Sequence, residues 1–200
     1  MKNILPQLFA AMLISAGTYS SAQAQYEQYS PYDAYVEPRG QNAYAPQRAY
    51  PQTTRQLVEA PASYGRGTLV VDTRSRYLYL MIGEGRAIAY QIGVGREGFQ
   101  WRGGAHVGRK AHWPSWTPPR EMLKRRPDLP RFMQGGIENP LGARALYLYR
   151  GKKDTLFRIH GTNEPWTIGQ AVSSGCIRMM NNDVVDLYNR VAVGARVVVI

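Results

Sequence analysis

Two residues of this 200-residue chain have the types and spacing that nucleophilic catalysis requires. Cys176 is its single cysteine, and His160 lies sixteen positions before it. A cysteine attacks a carbonyl carbon as its thiolate, and a histidine within hydrogen-bond reach can accept the thiol proton. Spacing alone leaves a second interpretation open, because a lone cysteine can also be a buried, unreactive core residue.

The neighbours of the cysteine fit the same chemistry. Gly175 allows a tight backbone turn through which amide N–H groups can point at an oxyanion. Arg178 can hold a substrate carboxylate with two parallel hydrogen bonds. The other histidines, His106 and His112, lie in a Trp- and Arg-rich stretch, and no Cys or His pair has the spacing of a structural zinc site. The sequence therefore predicts no metal site.

The elements that must position these residues are mostly β-strands. Short runs rich in β-branched and aromatic residues, separated by polar or Gly-containing turns, are typical of strands. Such runs occur at residues 68–72, 77–82, 87–93, 145–149, 156–159 and 196–200. His160 directly follows one of these runs, so it is predicted at a strand end, and Cys176 lies in a Gly-containing loop beyond it.

Helical periodicity is limited to two places. Residues 183–191 carry apolar side chains at i, i+3, i+4 and i+7, with Asn182 as a candidate N-cap. Residues 120–126 form a short basic piece that ends before Pro127. The stretch 99–141 is rich in Trp, Pro, Gly and Arg and has little periodicity, which is typical of a lid or binding loop. The predicted fold class is mostly β, a β-sandwich or small barrel with a long lid loop and one late helix.

The first 66 residues are not expected to belong to this domain. Residues 1–24 have a positive start, an apolar run and the cleavage pattern Ala22-Gln23-Ala24, which predicts a signal peptide. The protein would then be exported to the periplasm or cell envelope, and only this segment would contact the membrane, before its cleavage; an uncleaved anchor is the alternative. Residues 25–66 are rich in Tyr, Pro and Gln without apolar periodicity, which predicts a disordered linker before a catalytic domain at 67–200.

The net charge of +11 comes from the C-terminal part of the chain. From Arg66 onward there are 21 Lys and Arg side chains against 10 Asp and Glu. Nucleic acid is the default partner of so basic a chain, but an exported protein rarely meets it, so no nucleic-acid partner is expected. Carboxylate-bearing peptidoglycan stems or acidic lipid headgroups fit better, and a merely solvated basic surface is the alternative.

Two motifs resemble a known family. His160-Gly-Thr162, followed by Ser173-Ser-Gly-Cys-Ile-Arg-Met179, is similar to the signature of the L,D-transpeptidase (YkuD-type) catalytic domain. In that family a His-Gly-Thr-like strand end precedes a loop that reads Ser/Thr-His-Gly-Cys-x-Arg/Asn. The flanking runs Asn139-Pro-Leu-Gly142 and Asn181-Asn-Asp183 are also similar, and the resemblance covers about residues 67–200. It implies a peptidoglycan L,D-transpeptidase that acts in cell wall biogenesis.

The resemblance also implies roles for individual residues. Cys176 would attack the carbonyl of the third residue of a tetrapeptide stem, and His160 would take the thiol proton. The N–H groups of Gly175 and Cys176 would stabilise the oxyanion, and no cofactor is needed. The acyl group would then pass to an amine acceptor, which would form a 3-3 cross-link or anchor a wall protein.

Ser174 departs from the family pattern, which usually has a histidine at that position. That histidine supports the loop and the oxyanion site, and a serine hydroxyl can also donate or accept a hydrogen bond. Two other functions stay open. One is an L,D-carboxypeptidase-type hydrolase with the same Cys/His pair, and the other is a non-catalytic envelope-binding protein.

Overall fold

The computed structural model describes residues 51–61 and 63–200, so the predicted signal peptide and most of the predicted linker lie outside the described residues. The described strands are β1 (Gln56–Glu59), β2 (Leu69–Asp72), β3 (Tyr77–Gly83), β4 (Arg86–Gln91), β5 (Val94–Gly95), β6 (Gly103–His112), β7 (Arg144–Arg150), β8 (Lys153–His160), β9 (Ala171–Ser173), β10 (Ile177–Arg178) and β11 (Arg196–Val199). The helices are α1 (Arg120–Arg125) and α2 (Asn181–Arg190), and a 3-10 turn spans Pro165–Thr167. No helix in this part of the chain is long and apolar enough to cross a membrane.

Nine strands form one sheet in the order β1-β4-β3-β2-β11-β6-β7-β8-β10, while β5 and β9 make a separate parallel pair. Neighbours in the large sheet are antiparallel except β2 with β11 and β8 with β10. Among the described strands, β1 and β10 are the two edges, so the sheet does not close into a barrel. The mostly β fold predicted from the sequence is confirmed.

The core lies between the sheet and α2. Val184, Leu187 and Val191 are buried at helical spacing in one cluster with strand side chains such as Leu146 and Ile159. An apolar stripe of this kind holds an amphipathic helix on a sheet. The late helix predicted from periodicity is therefore present, and it covers the strand that ends at the candidate base.

The predicted N-cap of this helix is wrong. The helix begins at Asn181, and its N-cap is Met180, which makes no side-chain cap bond. Asn182 therefore lies inside the first turn.

The predicted linker is wrong at its C-terminal end. Strand β1 pairs with β4, with Gln56 opposite Ala89, and both the amide and the hydroxyl of Thr54 donate to the buried carboxylate of Asp183. The folded part thus begins before Gly67. The sequence shows no alternation of apolar and polar residues in β1, because this strand adds backbone hydrogen bonds while most of its side chains stay exposed.

The predicted long loop is also shorter than expected, since its residues 103–112 form the strand β6. Gly108 faces the ring of Tyr149, where a Cβ atom would lie 2.3 Å from Cδ2. Glycine and charged residues in β6 hide the period of two on which strand prediction depends.

The part of the predicted loop that follows β6 folds back on itself. Trp116 and Met133 exchange backbone hydrogen bonds of 2.8 Å, and the buried amide of Asn139 donates to the carbonyl of Gln134. Asn163, just after the His-Gly-Thr motif, donates to the carbonyl of Glu138 at 2.8 Å. The lid is therefore tied to the segment that carries His160.

Candidate active site

The pairing of two strands brings the predicted catalytic residues into one region. Strand β8 ends at His160, and β10 pairs with it in parallel so that Ile177 lies opposite Ile159 and Arg178 opposite His160. Cys176 immediately precedes β10. The loop before β10 thus returns the cysteine to the sheet edge on which the histidine lies.

Ser173 and Gly175 shape the turn that presents the cysteine. The buried Ser173 hydroxyl donates to the carbonyl of Cys176 at 2.6 Å and accepts the amide of Gly175 at 3.1 Å. Gly175 has φ +108°, and a Cβ atom there would lie 2.5 Å from the ring of Phe157. Only glycine fits both the conformation and the space. Sequence reasoning missed Ser173, although a serine two positions before a glycine is a turn signal.

The thiol lies beside a strained bulge of β8. Its Sγ is 4.0 Å from the carbonyl oxygen of Leu156, which has φ +64°. Asp154 fixes this bulge, because its carboxylate accepts the amide of Leu156 at 2.8 Å and two hydrogen bonds from the Arg158 guanidinium at 2.7 and 2.9 Å. Within residues 51–61 and 63–200, no hydrogen bond joins the Cys176 thiol to His160.

The electrostatics of the cysteine favour the neutral thiol. Burial raises the pKa of Cys176, and the backbone amide and charge of Arg158, together with the charge of Arg178, lower it only in part. The side chain is still half-buried rather than sealed from solvent. At neutral pH the thiol is therefore protonated at rest.

His160 is buried and neutral. Its Nδ1 atom lies 2.6 Å from the carbonyl oxygen of Gly161. Burial, then the charges of Arg178 and Arg158, lower the pKa of His160 to about 4 against the opposing effect of the Gly161 hydrogen bond. A neutral ring with one nitrogen occupied can accept a proton at the other.

Asn181 holds the segment that follows the histidine. Its Oδ1 accepts the amides of Ala143 and Thr162 at 2.9 and 3.2 Å, and its Nδ2 donates to the carbonyl of Thr162 at 2.7 Å. A Cβ atom on Gly161 would lie 2.1 Å from this Oδ1, so the glycine is required. The start of α2 thus fixes the Gly161 carbonyl against which His160 rests. The sequence offers no local signal for this contact.

Arg178 already has a carboxylate partner. Its Nη1 donates to Glu164 Oε2 at 2.6 Å and to Thr167 Oγ1 at 3.3 Å. The side chain is mostly buried, and its charge acts on both His160 and Cys176. Arg178 was expected to bind a substrate carboxylate, but its guanidinium is already paired with Glu164.

The residues predicted to support the oxyanion and the cysteine loop differ in their hydrogen bonds. The amide of Gly175 donates to Ser173, so in this conformation it does not face an oxyanion. In the part of the chain that the structure describes, the amide of Cys176 has no protein acceptor, which leaves it as the available donor. Ser174 is half-buried in the same loop, and its hydroxyl has no hydrogen-bond partner among those residues.

The other histidines lie on β6. His106 packs against Tyr149, and the rings of His112 and Tyr188 are perpendicular with a centroid distance of 4.8 Å. No cluster of three or more metal-ligating side chains occurs within the described ranges.

The sequence matches a known family model and several curated proteins. Residues 66–199 match the model of the YkuD L,D-transpeptidase catalytic domain. The probable L,D-transpeptidase ErfK/SrfK of Escherichia coli strain K12 is 34% identical over an alignment of 169 positions that covers 80% of this chain and 52% of that protein. The probable L,D-transpeptidase YbiS of the same strain is 34% identical over an alignment of 145 positions that covers 68% of this chain and 45% of that protein. The chain thus spans about half the length of these relatives.

Solved structures share the fold. A crystal structure from Brucella melitensis, described as a probable carnitine operon oxidoreductase, is 46% identical with a TM-score of 0.52 and covers 76% of this chain and 96% of that chain. An L,D-transpeptidase from Mycobacterium smegmatis is 18% identical with a TM-score of 0.50 and covers 66% of this chain and 58% of that chain. The second likeness is one of fold alone.

Proposed function

This chain belongs to the L,D-transpeptidase catalytic-domain family, and we propose that it is a peptidoglycan L,D-transpeptidase with Cys176 as nucleophile and His160 as base. The observation that carries the proposal is the parallel pairing of β8 with β10, in which the cysteine loop returns to the strand that ends at a neutral histidine. A base must be unprotonated at working pH. The lowered pKa of His160 keeps its ring neutral there.

In the acylation step, the Cys176 sulfur attacks the carbonyl carbon of the third residue of a tetrapeptide stem. Since both partners are neutral at rest, the thiol proton moves to His160 Nε2 as the carbon–sulfur bond forms. The oxyanion develops beside the amide of Cys176. Collapse of the tetrahedral intermediate breaks the peptide bond, and His160 returns the proton to the amine of the leaving D-alanine.

In the second step, an amine attacks the thioester carbonyl, His160 takes the amine proton, and the carbon–sulfur bond breaks as that proton returns to the Cys176 sulfur. An amine on a second stem gives a 3-3 cross-link, and an amine on a protein anchors that protein to the wall. Water in place of the amine gives the L,D-carboxypeptidase reaction. We place the enzyme in the periplasm or cell envelope because the first 24 residues have the pattern of a signal peptide.

Mass spectrometry of stem peptides incubated with the purified protein tests this proposal. We expect loss of the terminal D-alanine from a tetrapeptide and, with an amine acceptor present, a product that carries the acceptor. Cys176→Ser and His160→Ala should abolish or strongly reduce both. Hydrolysis alone, unaffected by the amine, would support the carboxypeptidase instead. Binding without conversion would support the non-catalytic envelope-binding protein.

A further inference from the structure

Two arginines from distant parts of the chain meet at one aromatic ring. The guanidinium carbon of Arg96 lies 4.4 Å from the centroid of the Phe99 ring, and that of Arg125 lies 5.4 Å from it. Arg96 follows β5, whereas Arg125 is the last residue of α1 in the lid. Both side chains are exposed, and the ring holds them by cation–π contact.

This arrangement is fastened to the cysteine loop. The amide of Arg96 donates to the carbonyl of Ser173 at 3.0 Å, and the amide of Phe99 donates to the carbonyl of Arg96 at 2.9 Å. The carbonyl of Phe99 packs so closely on Gly175 that a Cβ atom there would lie 2.9 Å from it. Ser173 in turn bonds the carbonyl of Cys176. The arginines therefore occupy the border of the site in which the nucleophile lies.

The charge of these arginines is unbalanced. Within the described ranges of the chain, neither guanidinium forms an ion pair. Other arginines of the site differ, since Arg178 pairs with Glu164 and Arg158 with Asp154. Two like charges held around one ring repel each other, and an anion between them would relieve that repulsion.

We propose that Arg96 and Arg125 bind a carboxylate of the donor stem peptide at the edge of the Cys176 site. The proposal rests on the proposed function, since a stem peptide carries carboxylates and has to reach the thiol that this border adjoins. A planar guanidinium matches a carboxylate with two parallel hydrogen bonds. Arg178, the residue that the sequence suggested for this task, is already occupied by Glu164.

Steady-state kinetics with a tetrapeptide stem and the variants Arg96→Gln, Arg125→Gln and their double test the site. Loss of a charge-assisted contact corresponds to about tenfold weaker binding, so we expect KM to rise about tenfold in the double variant with kcat within about twofold. Alkylation of Cys176 by iodoacetamide should keep its wild-type rate, which shows that the cysteine loop is intact. Arg196→Gln removes an exposed charge on β11 and should leave KM, kcat and the alkylation rate unchanged.

Amidated peptides identify the carboxylate. One peptide has its C-terminal carboxylate amidated, and the other has the side-chain carboxylate of the third residue amidated. The peptide that lacks the bound carboxylate should show a raised KM with the wild-type protein and no further loss with the double variant. If a peptide with every carboxylate amidated behaves like the free acid, no carboxylate binds there and the proposal is overturned.

Direct binding separates this inference from the proposed function. Calorimetric titration of the tetrapeptide into Cys176→Ala protein should show about tenfold weaker binding when both arginines are replaced, even if the wild-type protein converts no peptide. Unchanged peptide binding in the double variant would overturn the site, whatever the enzyme does. If the double variant loses binding only to anionic vesicles of phosphatidylglycerol and still binds the tetrapeptide, the site is likewise overturned, and the result points to a lipid headgroup.

Discussion

His160 Nδ1 lies 2.6 Å from the carbonyl oxygen of Gly161, the next residue in the chain. A carbonyl oxygen can only accept a hydrogen bond, so Nδ1 carries the proton and Nε2 keeps its lone pair. The structure thereby supplies a candidate for the group that orients the base. Asn181 bonds the amide and the carbonyl of Thr162, which holds the Gly161 carbonyl in place for this contact.

The first prediction concerns pH. The pKa of His160 is lowered to about 4, so the ring is neutral and able to accept a proton above that value. The acid limb of kcat/KM for stem peptide should accordingly lie near pH 4 rather than near the ordinary histidine value of about 6.5. Thermal unfolding over the same range is the control for acid denaturation. An acid limb near pH 6.5 would show that the histidine is not buried as described.

The second prediction concerns Gly175. Gly175→Ala places a methyl group against the Phe157 ring at a backbone φ of +108°, so we expect the cysteine loop to shift and iodoacetamide alkylation of Cys176 to change at least severalfold. Gly194→Ala is the matched control, because φ is +93° there and nothing lies within 4 Å of the new Cβ atom. The control should cost about 1 kcal/mol of stability from backbone strain alone. Equal effects of the two variants on alkylation would contradict the packing described for Gly175.

The third prediction concerns Asn181. Asn181→Ala leaves the amides of Ala143 and Thr162 without their acceptor, so the free energy of unfolding should fall by about 2 kcal/mol. The Gly161 carbonyl should loosen with it, and kcat should fall more than KM changes. Denaturant titration and steady-state kinetics measure the two effects. Asn189→Ala, at an exposed position of the same helix, should be nearly neutral, and a neutral result at Asn181 would mean that it does not position the base.

The fourth prediction separates two roles of Arg178. Its positive charge opposes protonation of His160, so Arg178→Gln should raise the pKa of that histidine and move the acid limb to higher pH. Arg178→Lys keeps the charge and should leave the limb in place. A rise of KM in both variants, with an unmoved limb, would instead assign Arg178 to the substrate carboxylate.

The sequence predicts the candidate site more readily than it predicts the contacts that hold that site in place. The His-Gly-Thr and Ser-Gly-Cys motifs are local, and the strand before His160 has a readable pattern. Strand β1 cannot be read because its contribution is backbone pairing with exposed side chains. The ion pair of Arg178 with Glu164 depends on how the chain folds back after the histidine, and spacing does not encode that.

Intact-protein mass spectrometry after exposure to a carbapenem tests the central claim most directly, because the family resemblance implies a cysteine that opens that strained ring. We expect one covalent adduct on the wild-type protein, none on Cys176→Ser, and slower formation on His160→Ala, with Ser174→His still reactive. Circular dichroism of each variant shows whether it is folded. A wild-type thiol that reacts neither with the carbapenem nor with iodoacetamide in the folded protein would make Cys176 an inert residue and contradict the proposed enzyme.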